Sequence, residues 1–202
     1  MERTSPSVRV TWLIGALLLA GPRLNAAPPA ALEAVVQAED FVRQEGGQGV
    51  AKVATAFGGK VQGYEFGRRG GHWAEYRLEL PRPLDKACLL VRYGRQYKPP
   101  ARWDVILDGR KLPAPLSFPT TGSWFEYRWV RLAAGALAKG PHTLRIVSTH
   151  QDANVVFDVL ALADEAVDPE RAMPFGPPAG DRARAKLASL KRAIEHLGRE
   201  FP

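Results

Sequence analysis

The chain has 202 residues, 46% of them hydrophobic and 24% charged, which is a globular composition with enough length for one core and appendages. Of the formal charge of +7, residues 1–26 contribute +2 and residues 181–202 contribute +3, so the body between them is close to neutral. The body therefore lacks the basic stripe that nucleic-acid binding requires, and nucleic acid is excluded as a partner.

Residues 1–26 have the pattern of a secretory signal peptide. Arg3 and Arg9 precede the apolar run TWLIGALLLAG, and small residues follow it up to a cleavage site near Ala26. The run is shorter than the roughly 20 apolar residues that span a bilayer, although a retained anchor stays an alternative. We therefore expect a secreted or periplasmic protein with no stable membrane anchor after cleavage.

Residues 33–165 alternate short β-type runs with turn residues. The run WAEYRLEL at 73–80 alternates apolar and polar side chains, and the runs at 123–132 and 154–163 are also typical of strands. Seven or eight such runs, with no convincing helix among them, predict an all-β fold built as an antiparallel β-sandwich.

The composition changes after the predicted sandwich. Residues 166–180 are rich in proline, so we predict a linker that joins neither a sheet interior nor a helix. Residues 181–199 predict a C-terminal amphipathic helix, because apolar side chains recur at helical spacing at Leu187, Leu190, Ile194 and Leu197. We expect this apolar stripe to dock on the sandwich, to pair with a second copy in a homo-oligomer, or to bind a protein partner.

Nearly the same seven residues occur twice in the chain, and we call these two segments the heptads. They read GHWAEYR at 71–77 and GSWFEYR at 122–128. Strand alternation predicts that Tyr76 and Tyr127 face the core, while Trp73 and Trp124 face outward or lie in the preceding loop. Each tryptophan has two interpretations: it covers one end of the sandwich beneath a loop, or it offers a flat ring for stacking on a sugar.

A set of short motifs resembles a known family. VVQAEDF, GHWAEYRLELP, ACLLVRYG, VILDGRKL, TTGSWFEYRWVRL, KGPHTLRI and VVFDVLAL occur in the order and at the approximate intervals of carbohydrate-binding modules of families six and thirty-five. The resemblance covers residues 34–163. It implies a galactose-binding-like jelly-roll sandwich that binds a polysaccharide or oligosaccharide and has no catalytic activity of its own.

The resemblance also implies a structural calcium ion. The family commonly holds this ion with a glutamate of the first strand motif and an aspartate of the last strand, and backbone carbonyls complete the shell. Glu39 and Asp158 occupy the matching positions. Carboxylates are suitable ligands, because calcium prefers about six to eight oxygen donors.

The sugar site implied by the resemblance is only partly matched. Trp124 matches one stacking aromatic of the family, and Trp73 or Tyr64 is available as the second. The family has an asparagine two residues before the final aspartate, but this chain has Val156 there, and its nearest asparagine is Asn154. We therefore keep as an alternative a structural or protein-interaction module with a degenerate sugar site, which assembles through its surface and the C-terminal helix.

An enzyme is the third interpretation. Glu75 and Glu126 are the carboxylate pair that a glycosidase would need, but each is followed two residues later by an arginine, which indicates ion pairing on a sheet face. The four histidines lack the spacing of a zinc site. The sequence therefore predicts a protein that is not an enzyme.

Overall fold

The computed structural model describes residues 31–63 and 65–173. These residues form strands joined by turns and loops, with one 3-10 helix and one short α-helix. The strands are β1 (Leu32–Gln37), β2 (Arg43–Glu45), β3 (Val50–Lys52), β4 (Lys60–Gln62), β5 (Trp73–Leu80), β6 (Leu84–Gly94), β7 (Ala101–Leu107), β8 (Arg110–Lys111), β9 (Leu116–Phe118), β10 (Tyr127–Leu137), β11 (Gly140–Ser148) and β12 (Val156–Asp164). The 3-10 helix is Phe57–Gly59 and α1 is Pro169–Ala172.

The strands form two antiparallel six-stranded sheets. The first sheet has the order β10-β6-β12-β4-β3, with β1 also paired to β12. The second sheet has the order β2-β5-β11-β7-β8, with β9 also paired to β7. Most neighbours in each sheet are far apart along the chain, so the architecture depends on long-range pairing and not on consecutive hairpins.

The core lies between the two sheets, and it is filled by alternate side chains of each strand, as the period of two requires. From the second sheet, Tyr76 of β5, Trp103 of β7 and Ile146 of β11 are fully buried. From the first sheet, Val91 of β6 and Leu160 of β12 face them in the same apolar cluster. The prediction of an all-β antiparallel sandwich is therefore confirmed.

An aromatic cluster fills one end of the core. The Trp103 ring lies 5.0 Å from Phe66 and 5.1 Å from Phe157, and Phe118 packs 5.3 Å from Phe157. The Trp103 indole N–H donates to the carbonyl of Ala153 at 2.9 Å. The loop that leads into β12 is thereby fixed to the core, which matters because this loop forms part of the cleft described below.

The chain after β12 differs in part from the prediction. Within the predicted linker at 166–180, Pro169 begins α1, and the Asp168 side chain caps this helix by accepting from the N–H of Glu170. The statement that this stretch joins no helix is wrong at this point, because a proline is well tolerated in the first turn, where its missing N–H has no helical partner. The predicted signal peptide at 1–26 and the predicted helix at 181–199 lie outside the described residues. Within 31–63 and 65–173, no helix is long and apolar enough to cross a membrane.

Candidate functional site

The second heptad lies mostly in a loop at one end of the sandwich. Thr121 anchors this loop to the end of β6, because its N–H donates to the Arg95 carbonyl at 2.8 Å and its hydroxyl accepts from the Arg95 N–H at 2.9 Å. Gly122 then turns the chain with φ of 96°, a backbone conformation that residues with a Cβ rarely adopt. Trp124 and Phe125 follow, just before β10 begins.

Trp124 is held against the backbone of β6. A Cβ built on Gly94 would lie 2.4 Å from the Trp124 carbonyl oxygen, so the loop can approach this closely only because position 94 is glycine. The Trp124 ring contacts Tyr97 edge-on, with 5.3 Å between ring centroids and an angle of 87° between the planes. Two loops therefore bring their aromatic rings together.

These rings line a cleft of about 520 Å³ at the end of the sandwich. Tyr97 is 51% exposed and Phe125 is 49% exposed, while Trp124 is half-buried. A contiguous patch of exposed apolar side chains, unlike a single exposed one, often marks a binding site. The remaining lining combines aliphatic and polar side chains: Ala51, Val53, Val61, Glu65, Phe66, Arg68, Asp152, Asn154, Val155 and Val156.

The polar side of the cleft is formed by two loops that contact each other. Arg68 forms an ion pair with Glu65, and the Arg68 carbonyl accepts from the N–H of Asp152 at 3.1 Å. Glu65 and Asp152 both have φ of 60°, which is unusual for residues with a side chain and often occurs at binding sites. Ionic and hydrogen-bonding groups therefore line the same cleft as the aromatic rings.

Arg95 connects three of the segments that form the cleft. Its side chain is buried and donates to the carbonyl of Asn154 and, at 2.6 Å, to the carbonyl of Pro99, while its backbone pairs with Thr121. Its guanidinium also lies 5.8 Å from the centre of the Tyr97 ring. Burial lowers the pKa of Arg95. Arg95 is therefore a positioning residue that fixes the loops bearing Tyr97, Trp124 and Asn154.

A second, more polar cleft of about 580 Å³ adjoins the first. Glu65 and Arg68 line both clefts, so the two share part of one wall. Arg69, His72 and Gln151 are among the other lining residues.

The predicted sugar-binding residues are only partly brought together. Trp124 and Asn154 line the same cleft. Trp73 lies elsewhere, on the outer face of the second sheet, where its ring packs 4.3 Å from the Arg145 guanidinium and its indole N–H donates to Glu45 at 2.9 Å. Tyr64 lies outside the described residues.

Sequence reasoning missed two aromatic residues of the cleft, Tyr97 and Phe125. Tyr97 lies in the segment GRQYKPP after β6, and an aromatic residue in a proline-containing loop is a signal that was available. Phe125 is adjacent to Trp124, but it falls within the run at 123–132 that the sequence pattern predicts to be a strand. It lies before the start of β10, so strand alternation does not apply to it.

The residues predicted to bind calcium have other partners. Asp158 is fully buried, and its carboxylate accepts from the Phe57 N–H at 2.8 Å and forms an ion pair with Arg92. Burial raises the pKa of Asp158 to about 6, although Arg92 opposes this rise. Glu39 has a buried Oε2 without a hydrogen-bond partner, and burial raises its pKa as well.

Asp158 does not fit the expected calcium site. Both oxygens of Asp158 are already bonded, one of them to a cation, and calcium requires about six to eight oxygen donors. Among residues 31–63 and 65–173, no group of three His, Cys, Asp or Glu side chains is arranged to hold a metal ion, a result that does not bear on a set of two carboxylates and backbone carbonyls. Calcium therefore stays a prediction from the resemblance alone.

The carboxylate pair considered for catalysis lies outside both clefts. Glu75 is 7% exposed and is bound by two arginines: Arg43 at 2.6 Å and Arg145 at 2.7 Å. These hydrogen bonds lower its pKa. The expected partner, Arg77, is exposed and forms no ion pair with Glu75. Glu126 is exposed in the loop before β10, so the two glutamates do not converge on one site.

The fold and the aromatic cleft together define a β-sandwich with a ligand-sized pocket among its end loops. No protein-family model matches the sequence, and no curated protein matches it either. Solved structures do match the fold. A family 35 carbohydrate-binding module from Clostridium thermocellum is 20% identical with a TM-score of 0.52, and the match covers 63% of this chain and 95% of that one.

Two further solved structures were determined with saccharides. A family 6 module from a Cellvibrio mixtus lichenase, in complex with cellotriose, is 20% identical with a TM-score of 0.52, covering 66% of this chain and 98% of that one. A family 35 module named Xyl-CBM35, in complex with a glucuronic-acid-containing disaccharide, is 17% identical with a TM-score of 0.51, covering 66% of this chain and 99% of that one. The described part of this chain thus has the fold of carbohydrate-binding modules of families 6 and 35.

Proposed function

We propose that this protein is a secreted, non-catalytic carbohydrate-binding module that binds a saccharide in the aromatic cleft. The observation that carries the proposal is the grouping of Tyr97, Trp124 and Phe125 in one cleft with Glu65, Arg68, Asp152 and Asn154. Aromatic rings cover the apolar C–H faces of a sugar at low entropic cost, and nearby polar groups select its hydroxyls.

The size of the cleft supports a short saccharide as ligand. Its volume of about 520 Å³ falls within the range of roughly 300–1,000 Å³ that is typical of small-molecule sites. Two solved neighbours of the same fold were determined with a cellotriose and with a glucuronic-acid-containing disaccharide. Neutral and acidic oligosaccharides are therefore both suitable for a first screen.

The position of Glu75 supports the absence of catalysis. A general acid needs a raised pKa and contact with the substrate, whereas two arginines lower the pKa of Glu75 on a sheet face outside the clefts. The pattern of residues 1–26 supports secretion.

The test is a glycan array followed by affinity electrophoresis in gels that contain the polysaccharide identified. The wild type is compared with Tyr97→Ala, and Trp73→Ala is the matched control because it removes an aromatic ring outside the cleft. We expect Tyr97→Ala to weaken binding at least about ten-fold, equivalent to about 1.4 kcal/mol. We expect Trp73→Ala to bind like the wild type.

Two results would contradict the proposal. In the first, Tyr97→Ala binds like the wild type and Trp73→Ala loses binding. This result would place the site on the outer face of the second sheet. If the wild type binds no glycan in either assay, the result would favour the protein-interaction alternative.

A further inference from the structure

Asp158 is a buried carboxylate at an irregularity in β12. The pairing of β12 with β6 shifts register between Phe157 and Val159, so Asp158 lies at the bulged position. One of its oxygens accepts from the backbone N–H of Phe57 at 2.8 Å, and the other accepts from Arg92. The contact with Phe57 ties the 3-10 helix Phe57–Gly59 to the first sheet.

Arg92 is largely withdrawn from solvent as well. Its side chain is 13% exposed, and its guanidinium lies 4.6 Å from the centre of the Tyr127 ring on the neighbouring strand. Arg92 pairs in register with Val159, directly after the bulge. The strand pairing itself therefore places the cation beside the carboxylate, unlike a surface pair of two mobile side chains.

A second cation at Asp158 would be repelled by the first. A metal ion coordinated by this carboxylate would lie close to the guanidinium in a site of low dielectric, where like charges interact strongly. Calcium affinity also depends on the number of charged ligands, and Arg92 already neutralises one of the two carboxylates in the predicted set.

We propose that Arg92 is a built-in cation that takes the place of the expected calcium ion, so that the sandwich folds and holds the 3-10 helix without a metal. The consequence extends to the cleft. The chain around this helix includes Val53, which lines the cleft, and Thr55, whose hydroxyl donates to the carbonyl of Phe125 at 3.3 Å. The wall beside Phe125 is therefore held by an ion pair within the chain.

The experiment measures thermal unfolding of the wild type, Arg92→Met and the double variant Arg92→Met/Asp158→Asn. Each protein is melted with a chelator, with calcium chloride and with magnesium chloride as the control cation. Methionine keeps much of the aliphatic length of arginine, and asparagine keeps an oxygen that can accept from the Phe57 N–H.

We expect the wild type to melt at the same temperature in all three conditions. Arg92→Met leaves a buried carboxylate without its cation, so its melting temperature should fall by roughly 10 °C or more. The double variant should recover most of this loss, because replacing both charges removes the uncompensated one.

Three results would overturn the proposal. The first is a wild type that is stabilised by calcium chloride but not by magnesium chloride and is destabilised by chelator. The second is an Arg92→Met variant with the same melting temperature as the wild type. The third applies if Arg92→Met does not fold. In that case a double variant that also fails to fold would show that Arg92 does not act through Asp158. A double variant that folds would support the ion pair.

Discussion

The two heptads share five of seven residues but form different structures. In the first, residues 71–77, the strand β5 begins at the tryptophan, Trp73. In the second, residues 122–128, the tryptophan lies in a loop, and β10 begins three residues later, at Tyr127. The first heptad is therefore mainly part of a sheet, while the second forms the edge of the candidate binding cleft.

The tyrosines show the consequence most clearly. Tyr76 is fully buried in the core, and its hydroxyl donates to the carbonyl of Ala38 at 3.3 Å. Tyr127 is half-buried on the outer side of the first sheet, because Val130 and Leu132 of the same strand pack on the core and have the opposite parity. The prediction that the tyrosine faces inward is right for Tyr76 and wrong for Tyr127. Whether the tyrosine of a heptad faces the core therefore depends on which of the residues after it in the strand are buried.

The largest expected effect concerns these two tyrosines. Tyr76→Ala should lower the free energy of unfolding by about 3–5 kcal/mol, because it leaves a large cavity between the sheets. Tyr127→Ala should cost about 1–2 kcal/mol, because its ring contacts Arg92 at the surface of the sheet. Urea unfolding of both variants measures the difference. Equal losses would mean that Tyr127 also belongs to the core.

The glycine beneath the second heptad should have the next largest effect. Gly94→Ala places a Cβ against the backbone of Trp124, which cannot move aside as a flexible side chain can, so we expect a loss of about 1–3 kcal/mol. Gly70→Ala, just before the first heptad, is the matched control, since its nearest neighbour would be 3.5 Å away. Urea unfolding is again the measurement. A Gly94→Ala variant as stable as the Gly70→Ala control would show that the Trp124 backbone can move away from β6 without loss of stability.

The glutamates of the heptads should differ in a pH-dependent way. Glu75→Gln removes the charge between Arg43 and Arg145 and should cost about 1 kcal/mol at neutral pH, since both arginines are partly exposed. Glu126→Gln, in an exposed loop position, should change stability by less than about 0.5 kcal/mol.

The sign of the pH dependence follows from the lowered pKa of Glu75. A depressed folded-state pKa adds stability above the unfolded-state pKa near 4.5, and this stability is lost as pH falls through the folded-state value. The difference in unfolding free energy between wild type and Glu75→Gln should therefore shrink below pH 4.5. A difference that stays constant across this range would mean that the two arginines do not stabilise the ionised carboxylate.

The alternation of apolar residues was enough to predict the sandwich, because a strand with one buried face imposes a period of two on its sequence. It did not predict which side chains on neighbouring strands of a sheet contact each other. Glu75 is bound by residues 32 and 70 positions away, and Arg92 meets Asp158 across 66 positions. Only the strand order brings these charges together, and one sequence does not reveal which strands are neighbours.

The candidate site was predictable to the extent that it depends on local sequence. Trp124 follows a turn signal and lies in the cleft, as does Asn154. Trp73 follows a similar signal but lies on a sheet face, because β5 begins three residues earlier in its heptad than β10 does in the second heptad. Tyr97 enters the cleft through the contacts of Arg95 with Pro99 and Asn154, which depend on the folded arrangement of three loops.

Only a small effect on stability is expected for the two tryptophans, and their effects on binding should separate them. Trp124→Ala and Trp73→Ala should each change the unfolding free energy by no more than about 1 kcal/mol, because both rings are half-buried and lie outside the apolar core. Only Trp124→Ala removes a ring from the aromatic cleft, so it alone should abolish retention by the glycan that the wild type binds. If Trp124→Ala instead unfolds the protein as readily as Tyr76→Ala does, the Trp124 ring supports the fold and the stacking role fails. If both tryptophan variants remain stable and lose binding together, the ligand must extend from the loop of the second heptad to the sheet face of the first.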